Sequence, residues 1–248
     1  MPLTITRRGV AAGVLVLVIA AVCVRLGFWQ LDRLEQRRAD NATLTRTLSR
    51  PVQSLDSVAA RKLAADPESF LNRRVTISGS YIPGAEILLR GRARNGRPGV
   101  HLVAPFHIQS TDAAILVNRG WLPAPDAASA DPRPYAATGQ LEISGIVKPI
   151  EAHDEEPVPA ELDVNGTKVS TFQRLDTRLL QSRSPHRLLP VVFQQLTDPE
   201  PTAPPYPVEI PELDEGPHLG YAFQWFSFAV IAVVGFLVMV LRRGSQGS

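Results

Sequence analysis

Two stretches of the chain are apolar almost without interruption, while the residues between them alternate. The first runs GVAAGVLVLVIAAVCVRLGFW from Gly9 to Trp29, with Arg25 its only charge. The second, Leu219–Leu241, holds 23 residues without a charge before Arg242-Arg243 stop it. A helix rises about 1.5 Å per residue and a hydrocarbon core is about 30 Å thick, so about 20 residues suffice to cross. Both stretches reach that length. Arg25 lies one turn from the end of its stretch, where it can snorkel to the headgroups.

Between them, alternating or β-branched runs predict strands: RVTISGSY (74–81), AEILLRG (85–91), VHLVAPFHI (100–108), AAILVNRGW (113–121), QLEISGIVK (140–148), KVSTFQRL (168–175) and RLLPVVFQQL (187–196). Asn95-Gly96 predicts a hairpin turn, because both residues tolerate positive φ. Helical spacing appears at 57–72 and around 176–182. The segment 151–162, EAHDEEPVPAEL, reads as an acidic solvated loop. Residues 198–217 carry seven prolines in twenty positions and predict an extended, polyproline-like linker.

The predicted fold class is therefore a membrane protein with two transmembrane helices flanking a β-rich extracytoplasmic domain, either α+β or small and barrel-like. Its expected segments are a cytoplasmic tail (1–8), a first span (9–29), the domain (30–197), the linker (198–217), a second span (218–241) and a second cytoplasmic tail (242–248). Short basic flanks favour the cytoplasm, so Arg7-Arg8 and Arg242-Arg243 place both termini inside and the domain outside. Arg33, Arg37 and Arg38 run against that rule, but a long loop crosses regardless of its charge. The first span has a second reading as a cleaved signal, because Arg7-Arg8 before an apolar run imitates a twin-arginine or Sec signal. Against it, no A-x-A site precedes a polar start, and the apolar run continues through Phe28 and Trp29.

A net charge of +2 excludes a strongly basic nucleic-acid binder and an acidic disordered chain, so no nucleic-acid partner is expected. Lysine occurs only at Lys62, Lys148 and Lys168, and with many alanines and prolines this arginine bias suggests a GC-rich bacterial genome and a bacterial plasma membrane. Cys23 is alone, allows no intramolecular disulfide, and reads as a small apolar filler. Asn41-Ala42-Thr43 and Asn165-Gly166-Thr167 match glycosylation sequons, which carry little weight in a bacterial chain.

Candidate chemistry concentrates where both apolar stretches meet the outer side. Trp29, Gln30, Arg33 and Arg37 stand three and four apart, a polar and aromatic stripe on a helix. His218, Tyr221 and Trp225 follow i, i+3, i+7 spacing, and Gln224 lies among them. An interfacial aromatic belt accounts for Trp29, Tyr221 and Trp225. It accounts less well for His218 and Gln224, since polar groups at membrane depth are costly and usually face a partner. A neutral histidine is also a common haem-iron ligand, though a lone interfacial one is more often a structural hydrogen-bonding residue than a ligand. In the domain, VNRGWLP (117–123) offers Arg119 to a carboxylate and Trp121 to an apolar face, or else a bend with a core tryptophan. His101 and His107 lack a partner at metal-ligand spacing, and nucleophile-elbow, Walker, H-E-x-x-H and Rossmann patterns are missing. The chain is accordingly read as a non-enzyme.

Three ordered motifs give a family resemblance: Leu26-Gly27-Phe28-Trp29-Gln30 with Arg33, Val117-Asn118-Arg119-Gly120-Trp121-Leu122-Pro123, and His218-Leu219-x-Tyr221-Ala222-x-Gln224-Trp225-Phe226. With the two-span layout they resemble the Surf1 family of cytochrome c oxidase assembly factors over nearly the whole chain. The resemblance implies a membrane chaperone of the respiratory chain that binds haem a and assists its insertion into oxidase subunit I. It implies His218 as the haem-iron ligand, with Trp225, and less directly Trp29, Gln30, Arg33 and Arg119, around the haem. Implied partners are subunit I, haem a synthase or other oxidase assembly factors, and membrane lipid. Many relatives carry an asparagine just before the histidine, where this chain has Gly216-Pro217, so the group that orients the imidazole is left open. Two other readings stand beside it: a haem-free scaffold that binds oxidase subunits or assembly factors, and a membrane-tethered enzyme without a visible catalytic constellation.

Overall fold

The computed structural model describes residues 7–150, 159–182, 184–197, 199, 201–209 and 213–245. The acidic stretch 151–158 with His153, and the outermost residues of both expected tails, lie outside the described residues. The chain divides into two compact units, one made of its two ends (to Thr45, and from Glu212) and one made of Arg46–Pro211.

The middle unit is β-rich. Its strands are β1 (Gln53–Ser54), β2 (Arg74–Tyr81), β3 (Ile87–Arg94), β4 (Arg97–Ile108), β5 (Ala113–Pro123), β6 (Leu141–Pro149), β7 (Ala160–Val164), β8 (Thr167–Phe172) and β9 (Arg187–Leu196). They lie in the order β1-β2-β6-β9-β5-β4-β3-β8-β7, and a further pairing of β2 with β4 closes β2, β6, β9, β5 and β4 into a small barrel. That closure needs Gly79 in β2, where a side chain would strike the His107 carbonyl of β4.

Strict alternation in β2 sends Val75, Ile77 and Tyr81 inward. They meet Phe106, Ile115, Val117, Val147 and Phe193 in the barrel interior. β4 and β5 are buried on both faces and so read as nearly continuous apolar runs. Their outer faces feed a second cluster with Ile87, Leu89 and Phe172 and a third with Leu88 and Val169. Helix α2 (Ser57–Ala65) sets Leu63 and Ala60 into the barrel cluster, and Asp56 caps it by accepting from Val58 N at 2.9 Å and Ala59 N at 2.8 Å. Asp176 caps the short α3 (Thr177–Gln181) in the same way.

The β3–β4 turn is the two-residue Asn95-Gly96 loop, both residues at positive φ with Arg94 facing Arg97. Asn165-Gly166 repeats that chemistry between β7 and β8, with Val164 facing Thr167. Residues 160–162, expected in the acidic loop, belong to β7 instead. The proline-rich stretch is extended along the barrel. Tyr206 exchanges backbone hydrogen bonds with Trp121 at 2.7 and 3.0 Å, and Val208 accepts from the Gln194 amide at 2.8 Å. Arg94 lies over the Tyr206 ring at 4.8 Å and pairs with Glu209 at 3.2 Å.

The other unit holds α1 (Arg7–Leu48), which enters it as far as Thr45, and α4 (His218–Ser245). Both helices are long and apolar enough to cross a membrane. α1 does not stop after Trp29 but continues through a polar stretch to Leu48. The two helices meet antiparallel through a narrow seam. Ala20 and Cys23 pack with Ala229 and the half-buried Trp225. A side chain added at Gly13 would come within 3.2 Å of the Phe236 ring, and one at Gly27 within 2.5 Å of Phe226. Close approach on small residues is how apolar helices associate where lipid removes the hydrophobic drive.

Candidate functional site

The seam on α1 runs through Gly13, Ala20, Cys23, Gly27 and Gln30, alternating by threes, fours and sevens. Its counterpart on α4 is His218, Ala222, Trp225 and Ala229, of which Ala222 and Ala229 are buried. At the polar end of the seam His218 Nδ1 lies 2.9 Å from Gln30 Oε1. A carboxamide oxygen only accepts, so the ring donates from Nδ1 and carries its lone pair on Nε2. Gly216, at φ +69°, turns the chain just before α4; a side chain there would sit 3.5 Å from Nε2 and 3.4 Å from Cδ2. That is ordinary van der Waals contact, so glycine sets no side chain against that edge of the imidazole.

The segment leading into α4 is tied to α1 by polar bonds. Arg38 donates to both carboxylate oxygens of Glu215, each at 2.7 Å. Asn41 Nδ2 donates to the Asp214 carbonyl at 2.8 Å, and Arg37 reaches the Asp214 carboxylate at 3.8 Å. The hydrogen bonds from Arg38 hold the Glu215 carboxyl below its ordinary pKa.

The sequence-predicted residues separate into three groups. His218 and Gln30 come together, and Trp225 lies deeper in the same seam, edge-on to Phe228 at 6.0 Å. Trp29 and Arg33 do not join Gln30 on a common face. They stay exposed and pair with each other, the guanidinium 5.8 Å from the indole centroid, while Arg33 also donates to Gln36 at 2.9 Å. Tyr221, 49% exposed, and Gln224 likewise lie outside the seam.

Arg119 and Trp121 belong to the barrel unit. Arg119 stacks on Tyr81 at 4.6 Å and donates to the Tyr135 carbonyl at 2.5 Å. Burial drives the Tyr81 hydroxyl up to about 12, with Arg119 pulling the other way. Trp121 is buried, its Nε1 without a hydrogen-bond partner among the described residues, and its ring lies 6.2 Å from Tyr206. His101 Nδ1 accepts from the Asn118 Nδ2 amide at 3.1 Å; burial first, then Arg92, pushes its pKa down to about 4. His107 and His186 stack at 4.4 Å beside a cavity of about 580 Å³ that Arg61 and Arg187 also line with His107. Among the described residues no three His, Cys, Asp or Glu side chains gather to hold a metal ion.

Sequence reasoning missed Arg38, Asn41, Asp214 and Glu215. Their signal was available in part: Asn41 stands eleven residues after Gln30, so both share one helix face.

In the chain the five-stranded barrel is preceded by one apolar helix and followed by another. The chain belongs to the SURF1 family, which it matches over residues 17–230. It is similar to the SURF1-like protein of Rickettsia felis, 28% identical over 235 residues and covering 92% of this chain and 95% of that one. The SURF1-like protein of Monosiga brevicollis is 27% identical over 254 residues, covering 98% and 92%. An uncharacterized SURF1-like protein of Mycobacterium tuberculosis is 25% identical over 214 residues, covering 84% and 73%.

Proposed function

We propose that the protein is a membrane-anchored assembly factor for haem-copper (cytochrome c) oxidase that binds haem a at His218 and assists its insertion into subunit I. The observation that carries this reading is the His218–Gln30 bond, which leaves the lone pair on Nε2, on an edge where Gly216 sets no side chain. Iron-ligating histidines are typically held in this way through the other ring nitrogen. His218 would ligate the haem iron from the seam, and Trp225 would wall the ring below it. The same reading places α1 and α4 across a bacterial plasma membrane, both termini in the cytoplasm and the barrel on the outer face. Exposed Val14, Leu15, Leu17 and Val18 on α1 and Phe223, Val230 and Ile231 on α4 would face lipid. The protein carries and presents its cargo rather than transforming it, and works beside subunit I and haem a synthase or other assembly factors.

A haem-free scaffold is the second reading. It is favoured by Trp29, 44% exposed with Arg33 beside it, since Trp and Arg are the residues that anchor protein interfaces. Purification from cells that make haem a separates the two. The haem reading expects a Soret band that His218→Ala abolishes and His107→Ala retains; a colourless wild-type protein contradicts it.

A further inference from the structure

The seam is notched where the Phe226 ring sits against Gly27 and the Phe236 ring against Gly13, and between them Ala20 and Cys23 meet Ala229. Register is set by contacts that occur once. Beside the two ring-on-glycine fits, these are polar and gathered at one end: Gln30 to His218, Asn41 to Asp214, and the two-pronged Arg38–Glu215 pair. A guanidinium fork on a carboxylate is directional and tolerates little sliding. Glu215 stands three residues before His218, so holding it fixes where the first turn of α4 begins.

Gln30 sits in the seam, its carboxamide oxygen already used by the imidazole. The geometry assigns Gln30 as a positioning residue for His218 rather than a contact to the cofactor. Gln30 fixes the Nδ1–H tautomer and the direction of Nε2, while Arg38–Glu215 and Asn41–Asp214 set the register in which the two side chains meet. This also supplies the orienting group that Gly216-Pro217 cannot. The inference rests on the reading of His218 as an iron ligand, yet it can fail separately from it.

The test uses the full chain in lipid nanodiscs with ¹⁵N-labelled histidine, a tractable spectrum with only five histidines. At pH 8 wild-type His218 is expected as the Nδ1–H tautomer, moving to a tautomer mixture in Gln30→Ala. Gln30→Glu keeps an acceptor and keeps the tautomer. Arg38→Glu loses it, and Arg38→Glu with Glu215→Arg restores it. Ferric haem a, followed by absorbance, binds Gln30→Ala about 10- to 100-fold more weakly than wild type and binds Gln30→Glu undiminished. An unchanged tautomer in Gln30→Ala overturns the assignment, and an unchanged tautomer in Arg38→Glu overturns the register role. If Gln30→Ala fails to accumulate, Gln30→Glu and the charge-swapped pair decide. Tautomer responses as expected with no haem a bound by wild type would sink the ligand reading alone and leave the positioning role standing.

Discussion

The barrel and the helix pair use apolar residues in opposite senses. In the barrel the largest apolar side chains, Phe106 and Phe193 among them, are fully buried. In the helix pair Val18, Phe223 and Ile231 point outward, and the interior is left to Ala20, Cys23 and Ala229. Water drives the first arrangement, because each buried phenylalanine is worth about 1.5–3 kcal/mol. No such drive would act between these helices in lipid, where close backbone approach and a few polar contacts would hold the pair. The polar contacts can therefore carry function as well as register, and His218–Gln30 is one of them.

That contrast is most sharply tested by removing bulk from each region. Phe193→Ala should destabilise the barrel by about 3–5 kcal/mol, read as a lower midpoint in thermal unfolding followed by near-UV circular dichroism. Val18→Ala, on the outward face of α1, should stay within about 0.5 kcal/mol. Equal effects would erase the distinction between the regions. Next in size, Val18→Asp should cost about 3 kcal/mol of membrane insertion, measured as the fraction retained after carbonate extraction. Unchanged retention would argue that α1 does not lie in lipid.

The barrel also carries a pH dependence that the helix pair need not share. His101 takes a proton near pH 6.5 when unfolded but only near pH 4 when folded. The unfolded chain thus binds more protons in that window, and barrel stability falls as pH drops from 6.5 towards 4, by up to about 3 kcal/mol. Hydrogen exchange of β4 and β5 amides should report the loss, and His101→Gln should flatten it. Smallest, Asp56→Ala should cost about 1 kcal/mol through the α2 cap alone, visible in the barrel's melting midpoint and not in haem a binding.

Legibility in the sequence followed the same divide. Period-two alternation located β2 to the residue, because one of its faces is buried and the other is not. Strand β9, buried on both sides over much of its length, was legible as a nearly continuous apolar run. Asn95-Gly96 was readable as a turn, whereas Asn165-Gly166 was read as a sequon and its hairpin was missed along with β7. The two are the same backbone chemistry, and only the weak five-residue strand beside the second concealed it. Barrel closure through β2 and β4 was not legible, since it depends on a glycine that admits a carbonyl from a strand 28 residues away. The apolar stretches were plain, but α1 beyond Trp29 lost its signal where the helix became polar.

His218 was legible as a residue out of keeping with its surroundings, and the ordered motifs carried it further. Its partner was not. Gln30 and His218 are 188 positions apart, and periodicity places each on a face without saying which faces meet. The threes and fours of Gly13, Ala20, Cys23 and Gly27 do extend to Gln30, so the seam could have been traced once small residues were counted as interface. Stripe arithmetic instead grouped Gln30 with Trp29 and Arg33, which turn the other way.

The central claim is that His218, oriented by Gln30, is the residue that takes the iron. Its most direct measurement adds ferric haem a to the ¹⁵N-histidine-labelled protein in nanodiscs and follows all five imidazoles. Paramagnetic iron should shift or broaden away the His218 ring signal first, with those of His101, His107 and His186 left sharp. Five unaltered signals, or the loss of another histidine in place of His218, would contradict the account.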